Sequence, residues 1–142
     1  MLCKEHQREF KGFLKAKKLK ATPARLEFLE IFAHEKKPIS IRQLKTKVQL
    51  KTDLVTLYRN AEIFTGLGLL NRINLGSQKD YFEFAKKNHH HHLICTRCGK
   101  VSDVSSCQVG VISNQTIKSA GFAHVSKHSL EFFGLCRQCV NN

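Results

Sequence analysis

No apolar run in this 142-residue sequence approaches the roughly 20 residues that a membrane-spanning helix needs. The opening stretch, Met1 to Lys20, is charged and has no apolar signal-peptide core. Both absences point to a cytoplasmic protein with no membrane partner. Acidic residues are scarce, 11 Asp and Glu against 24 Lys and Arg, and no H-E-x-x-H motif occurs. A metal-dependent hydrolase needs an open metal with a general base beside it, so that class is set aside and no catalytic residue is assigned. There is no internal repeat and no Pro/Gly linker.

What is present is positive charge, unevenly placed. The formal net charge is +13, which calls for an anionic partner. Residues 1–88 carry 19 Lys and Arg and 9 Asp and Glu, whereas residues 89–142 carry 5 and 2. The basic half is the candidate nucleic-acid binder. The other half holds six of the eight histidines and five of the six cysteines. A chain this short makes one ordinary domain or two small ones, and small domains usually need a metal or a partner subunit.

Helical signals fill the first half. Phe10, Phe13 and Leu14 form a short amphipathic stretch. Thr22 caps a helix with Pro23 in its first turn and with Leu26, Leu29 and Phe32 inward. Ser40 with Gln43 forms a capping-box pattern ahead of Leu44 and Val48. A fourth helix runs from Thr52 or Asp53 to Gly66. Leu54, Leu57, Ala61 and Phe64 share its inner face. Thr52, Val55, Thr56, Arg59 and Ile63 point outward, with Tyr58 on the flank, and that outer face suits contact with DNA. Two strand-like runs, 69–75 and 80–84, make a hairpin, and helices followed by a hairpin spell a winged helix.

Residues 85–88 form a short polar hinge. Beyond it, His89 to Thr96 and Lys100 to Val104 read as strands. Val109, Ile112, Ile117 and Ala120 suggest a helix ending at Gly121, and 122–135 reads as one long strand or two shorter ones. The expectation is an α+β protein, with a winged-helix DNA-binding domain over 1–85 and a small α/β metal-binding and dimerisation domain over 86–142. A sheet so small cannot cover both of its faces, so a homodimer is expected.

Cys95-x-x-Cys98 and Cys136-x-x-Cys139 carry the strongest chemical signal. Two C-x-x-C knuckles are the ligand set of a tetrahedral structural zinc, closed to substrate. A thioredoxin-like redox site needs one such motif, not two. Gly99 supplies the turn after Cys98. The run His89-His90-His91-His92 leads into a strand, where alternate residues face opposite sides. His90 and His92 therefore share one face, and His89 and His91 the other. Glu83, Asp103, His124 and His128 are the nearby residues to complete either half-site. Mixed imidazole and carboxylate ligands suit Fe(II), Zn(II), Mn(II) or Ni(II).

These residues resemble the ferric uptake regulator family over nearly the whole chain. The matches, in order, are Thr22 to Arg25, Val55-Thr56-Leu57-Tyr58-Arg59, His89 to Cys98 with Gly99-Lys100-Val101, and Cys136 to Cys139. The resemblance implies a homodimeric repressor whose metal-loaded form binds an AT-rich palindromic operator in double-stranded DNA. It places Thr56, Tyr58 and Arg59 on the reading helix, with Arg25, Lys15 and Lys18 near phosphates. It implies a regulatory hinge site of Glu83, His90, His92 and Asp103. The family's further histidine has no match, since Lys37-Pro38 stand there, and His34 lies one turn early as a substitute. It implies a second site of His89, His91 and His128. The helical acid of that site is absent from Gln108-Val109-Gly110-Val111, and Cys107 is an alternative ligand. Cys3 acquires no role from the sequence. The competing reading is a zinc-ribbon nucleic-acid binder that binds constitutively and senses no metal.

Overall fold

The structure, a computed structural model, describes residues 4–76, 78–85, 90–105, 113–125, 128 and 130–141. It forms two compact units, residues 1–86 and 87–142. Among the described residues, no helix is long and apolar enough to cross a membrane.

The first unit begins with α1 (Lys4–Ala16) and α2 (Pro23–His34). Thr22 Oγ1 accepts from the Arg25 amide, and Pro23 occupies the first helical turn, where its missing N–H costs nothing. Next comes β1 (Ile39–Ser40), then α3 (Ile41–Lys47) behind a complete Ser40–Gln43 capping box. Helix α4 (Leu54–Gly66) starts from an Asp53 cap. The wing is β2 (Leu70–Asn74) and β3 (Asp80–Phe84). Phe28, Leu29 and Phe32 of α2, Leu57 and Phe64 of α4 and Phe82 of β3 are essentially buried, so all these elements meet in one core.

Four features depart from the sequence reading, one of them Ile63, which is partly buried against the core and not outward. The wing sheet has a third strand, in the antiparallel order β1-β3-β2, with Ile39 opposite Phe82. A two-residue strand is too short to show a period of two. Leu54 is 38 % exposed, because the first residue after the cap lies at the helix edge and the inner face is completed by Asn60 instead. Thr52 is buried, not outward, and precedes the helix, where its carbonyl accepts from Lys45 Nζ at 2.6 Å.

The second unit is built on β4 (His91–Cys95), β5 (Val101–Val104) and β6 (Glu131–Gly134), in the order β5-β4-β6. Strand β5 runs antiparallel to β4, and β6 runs parallel to it. Helix α5 (Asn114–Ser119) is capped by Ser113 and buries Ile117. It is shorter than the periodicity suggested, and the expected residues Val109 and Ile112 lie outside the described residues. Of the stretch 122–135, only Glu131–Gly134 is a strand among the described residues. Phe122 and Val125 are exposed outside it, because β4 has two edges and these are taken by β5 and β6. A short α6 (Arg137–Val140), absent from the sequence reading, carries the last cysteine.

Candidate metal centres and nucleic-acid interface

The four cysteines of the two knuckles converge from the ends of β4 and β6. Their sulfurs all lie within 4.8 Å of one another, and Cys98 Sγ stands 3.7 Å from Cys136 Sγ. Zinc–sulfur bonds of about 2.3 Å in a tetrahedron set sulfurs about 3.8 Å apart, so the cluster has the dimensions of the ion it would hold. Local structure explains the convergence. Gly99, at φ +72°, turns the chain so that its amide reaches the Cys95 carbonyl at 2.9 Å. Cys136 sits at the N-cap of α6, and one helical turn brings Cys139 back beside it.

The electrostatics of the cluster favour deprotonated sulfur at its centre. The Cys98 and Cys136 amides point at Cys95 and lower its pKa to about 6, and the Cys139 amide lowers that of Cys136. Withdrawal from water, with the sulfurs of Cys136, Cys98 and Cys95, pushes Cys139 up to about 12. Four sulfurs this close cannot all ionise without a cation among them. The donor set therefore fits zinc, which would supply a purely structural cross-link here.

The histidine strand divides as a strand must. His90 and His92 pack ring to ring at 5.0 Å between centroids, whereas His91 turns to the opposite face, 5.4 Å from the His128 ring. His91 Nδ1 lies 3.2 Å from the Leu130 carbonyl oxygen, which orients the ring through its backbone partner. His92 is opposite Asp103 in the β4–β5 register, with Nε2 3.9 Å from the carboxylate. That is too long for a hydrogen bond. The parallel register also puts Glu131 beside His92 on the same face, a carboxylate the sequence reading missed. Thirty-nine residues separate the two, and only the pairing of β6 with β4 joins them.

Of the other expected ligands, Glu83 is buried near the end of β3 in the first unit, and His34 faces Glu30, its Nε2 3.0 Å from Oε1. His124 is exposed, and His89, Cys107 and Cys3 lie outside the described residues.

The candidate DNA-facing residues gather on the first unit. Val55, Tyr58 and Arg59 are exposed along α4, and Thr56 is half-buried with its hydroxyl donated to Asp53 at 2.8 Å. Arg25 donates from Nε to Asn60 Oδ1 at 3.2 Å and from an Nη to the Lys20 carbonyl at 3.0 Å, so it ties α2 to α4. Lys18, Arg25 and Thr56 line one shallow concavity, and Lys15 is exposed in the last turn of α1.

A sequence profile described as the ferric uptake regulator family matches residues 16–133. The chain is 34% identical over 122 residues to the ferric uptake regulation protein of Cupriavidus metallidurans, covering 83% of this chain and 85% of that one. Among solved structures, the Helicobacter pylori ferric uptake regulator, described as having three functional metal binding sites, superposes with a TM-score of 0.77 at 20% identity, over 96% and 92% of the two chains. The Francisella tularensis regulator, solved with iron, gives 0.69 at 27% identity over 86% and 95%.

Proposed function

The chain belongs to the ferric uptake regulator family, and from that premise we propose that it is a metal-responsive, sequence-specific DNA-binding repressor in the cytoplasm, controlling genes of metal uptake or of metal and peroxide stress. The carrying observation is the conjunction, in one small second unit, of a closed four-sulfur cluster and a strand of buried histidines. The first can hold a permanent ion. The second, with Asp103 and Glu131 alongside His92, can hold an exchangeable one. A protein with only a structural task needs only the first.

In this reading zinc occupies Cys95, Cys98, Cys136 and Cys139. The sensed ion takes His90, His92 and Asp103, with Glu83 as the further carboxylate that the sequence supplies. His91 and His128, with His89, form the second set. Iron(II) and zinc(II) are the first ions to test, then manganese(II) and nickel(II). The Francisella relative was solved with iron. Thr56, Tyr58 and Arg59 of α4 read base edges in the major groove of a palindromic, AT-rich operator, while Lys15, Lys18 and Arg25 meet phosphates. A homodimer is supported by apolar surface on the second unit: Leu93 and Phe132 are paired neighbours on β4 and β6, and both are exposed.

The test pairs metal analysis with DNA binding before and after mild chelation. Two classes of bound metal are expected, one surviving chelation and one whose removal weakens operator binding. A single tightly held zinc with unchanged DNA affinity would establish a constitutive zinc-ribbon binder instead.

A further inference from the structure

Another group of metal-type donors lies wholly within the first unit, apart from both sets described above. His6 stands in the first turns of α1, and Glu30 and His34 lie on α2. We propose that His6, Glu30 and His34 form a binding site for a divalent transition-metal ion that clamps the start of α1 to the end of α2.

The placement follows from helix geometry. Residues four apart share a face, so Glu30 and His34 project together from the last turns of α2. Docking of α1, through the buried Phe10 and Leu14, brings His6 against them. Glu30 Oε1 is 3.0 Å from His34 Nε2 and 3.4 Å from His6 Nδ1, and the two imidazole centroids are 5.0 Å apart. An ion with bonds of about 2.0–2.2 Å holds its ligand atoms about 3.0–3.6 Å apart, so these separations already have the scale of a coordination shell.

Chemistry selects the class of ion. Two imidazoles and one carboxylate suit Zn(II), Fe(II), Co(II) or Ni(II), whereas calcium and magnesium require oxygen ligands. Glu30 is buried, and both imidazole nitrogens stand against the same carboxylate oxygen, Oε1, so the three donors converge on one point. His34 is 62 % exposed and borders an open groove, so three protein ligands leave positions for water and the ion can exchange.

This site uses no residue of the cysteine cluster or the histidine strand, so it stands or falls separately from the sensing reading. The test uses the full-length, zinc-loaded chain and cobalt(II) as the probe. Bound metal is counted by elemental analysis, and ligand-field absorption follows the titration. Comparison is made between the natural sequence, H34Q, H6A/H34A and H90A/H92A. The double variant H6A/H34A is expected to lose one cobalt equivalent, or to hold it at least about 10-fold more weakly, with its zinc unchanged. H90A/H92A is expected to keep that equivalent. H34Q changes only an exposed side chain, so it decides the matter if H6A/H34A folds poorly. Equal cobalt stoichiometry and affinity in H34Q and the natural chain would reduce the triad to a hydrogen-bonded cluster and overturn the proposal.

Discussion

At Lys18 the backbone has φ +56°, the left-handed region, and the residue is not glycine. It follows α1, where the Leu19 amide reaches back to the Leu14 carbonyl at 2.8 Å and closes the helix end. At the end of α4 the same closure, from Leu69 to the Phe64 carbonyl, uses Gly68 at φ +72°. A left-handed non-glycine residue costs about 1–2 kcal/mol, so Lys18→Gly should raise the melting temperature. It should also weaken DNA binding and lower the salt dependence by about one counterion, if the ammonium meets a phosphate. Opposite signs in calorimetry and in DNA titration would identify a residue kept for its charge at the expense of its conformation. Asp53 gives a pH signature. The Thr56 amide, then the Thr56 hydroxyl, hold its carboxyl below the ordinary range. Its contribution is therefore complete above the unfolded carboxylate value of about 3.9 and is lost as pH falls through the lower folded value. Asp53→Asn, which still caps, should remove that part of the acid limb of a denaturation curve taken across pH.

Among the elements, the proposed function assigns α4 and α1 two kinds of DNA contact that mutation can separate. Arg59 is exposed on α4 between the buried Leu57 and Asn60, so its removal leaves the core intact. Arg59→Ala should cost about 1–3 kcal/mol of operator affinity and relax the sequence preference. Lys15→Ala on α1 should weaken all DNA sequences alike and flatten the salt dependence. Competition titrations with operator and random duplex distinguish these outcomes, and unchanged affinity in Arg59→Ala would show that α4 is not the reading helix. Arg25 behaves differently from either, because its bonds to Asn60 and the Lys20 carbonyl tie α2 to α4. Arg25→Lys should therefore lower stability as well as affinity, since lysine cannot reproduce the forked geometry.

For the molecule as a whole, the two units have unequal means of support. The first buries a continuous aromatic and aliphatic core, including Phe28, Phe32 and Phe64. In the second, the buried apolar residues among those described are Ile94, Cys95 and Ile117, while Leu93, Phe133 and Leu135 stay exposed. On the proposed reading such a unit would depend on its metal and on a partner surface. Cys98→Ser should release zinc, unfold the second unit and yield monomers, yet leave the helical signal of the first unit largely in place. Zinc analysis, sedimentation and far-ultraviolet circular dichroism would read the three effects. Retention of full zinc with an unchanged melting temperature would contradict the four-sulfur assignment.

What the sequence determined by itself is local in origin. The helix caps, the Leu57, Ala61 and Phe64 face of α4, the wing hairpin and the two C-x-x-C knuckles each depend on residues within a few positions of one another, so spacing reveals them. The alternation of the histidine run is likewise a property of one strand. Only the tertiary structure decided which distant groups meet. The parallel pairing of β6 with β4 sets Glu131 beside His92, and Asn60 on α4 receives Arg25 from α2. The packing of α1 on α2 gathers His6 to Glu30 and His34 across 24 residues of chain. No periodicity records such encounters, because they result from how elements dock, which the burial of apolar faces dictates and the polar residues merely follow.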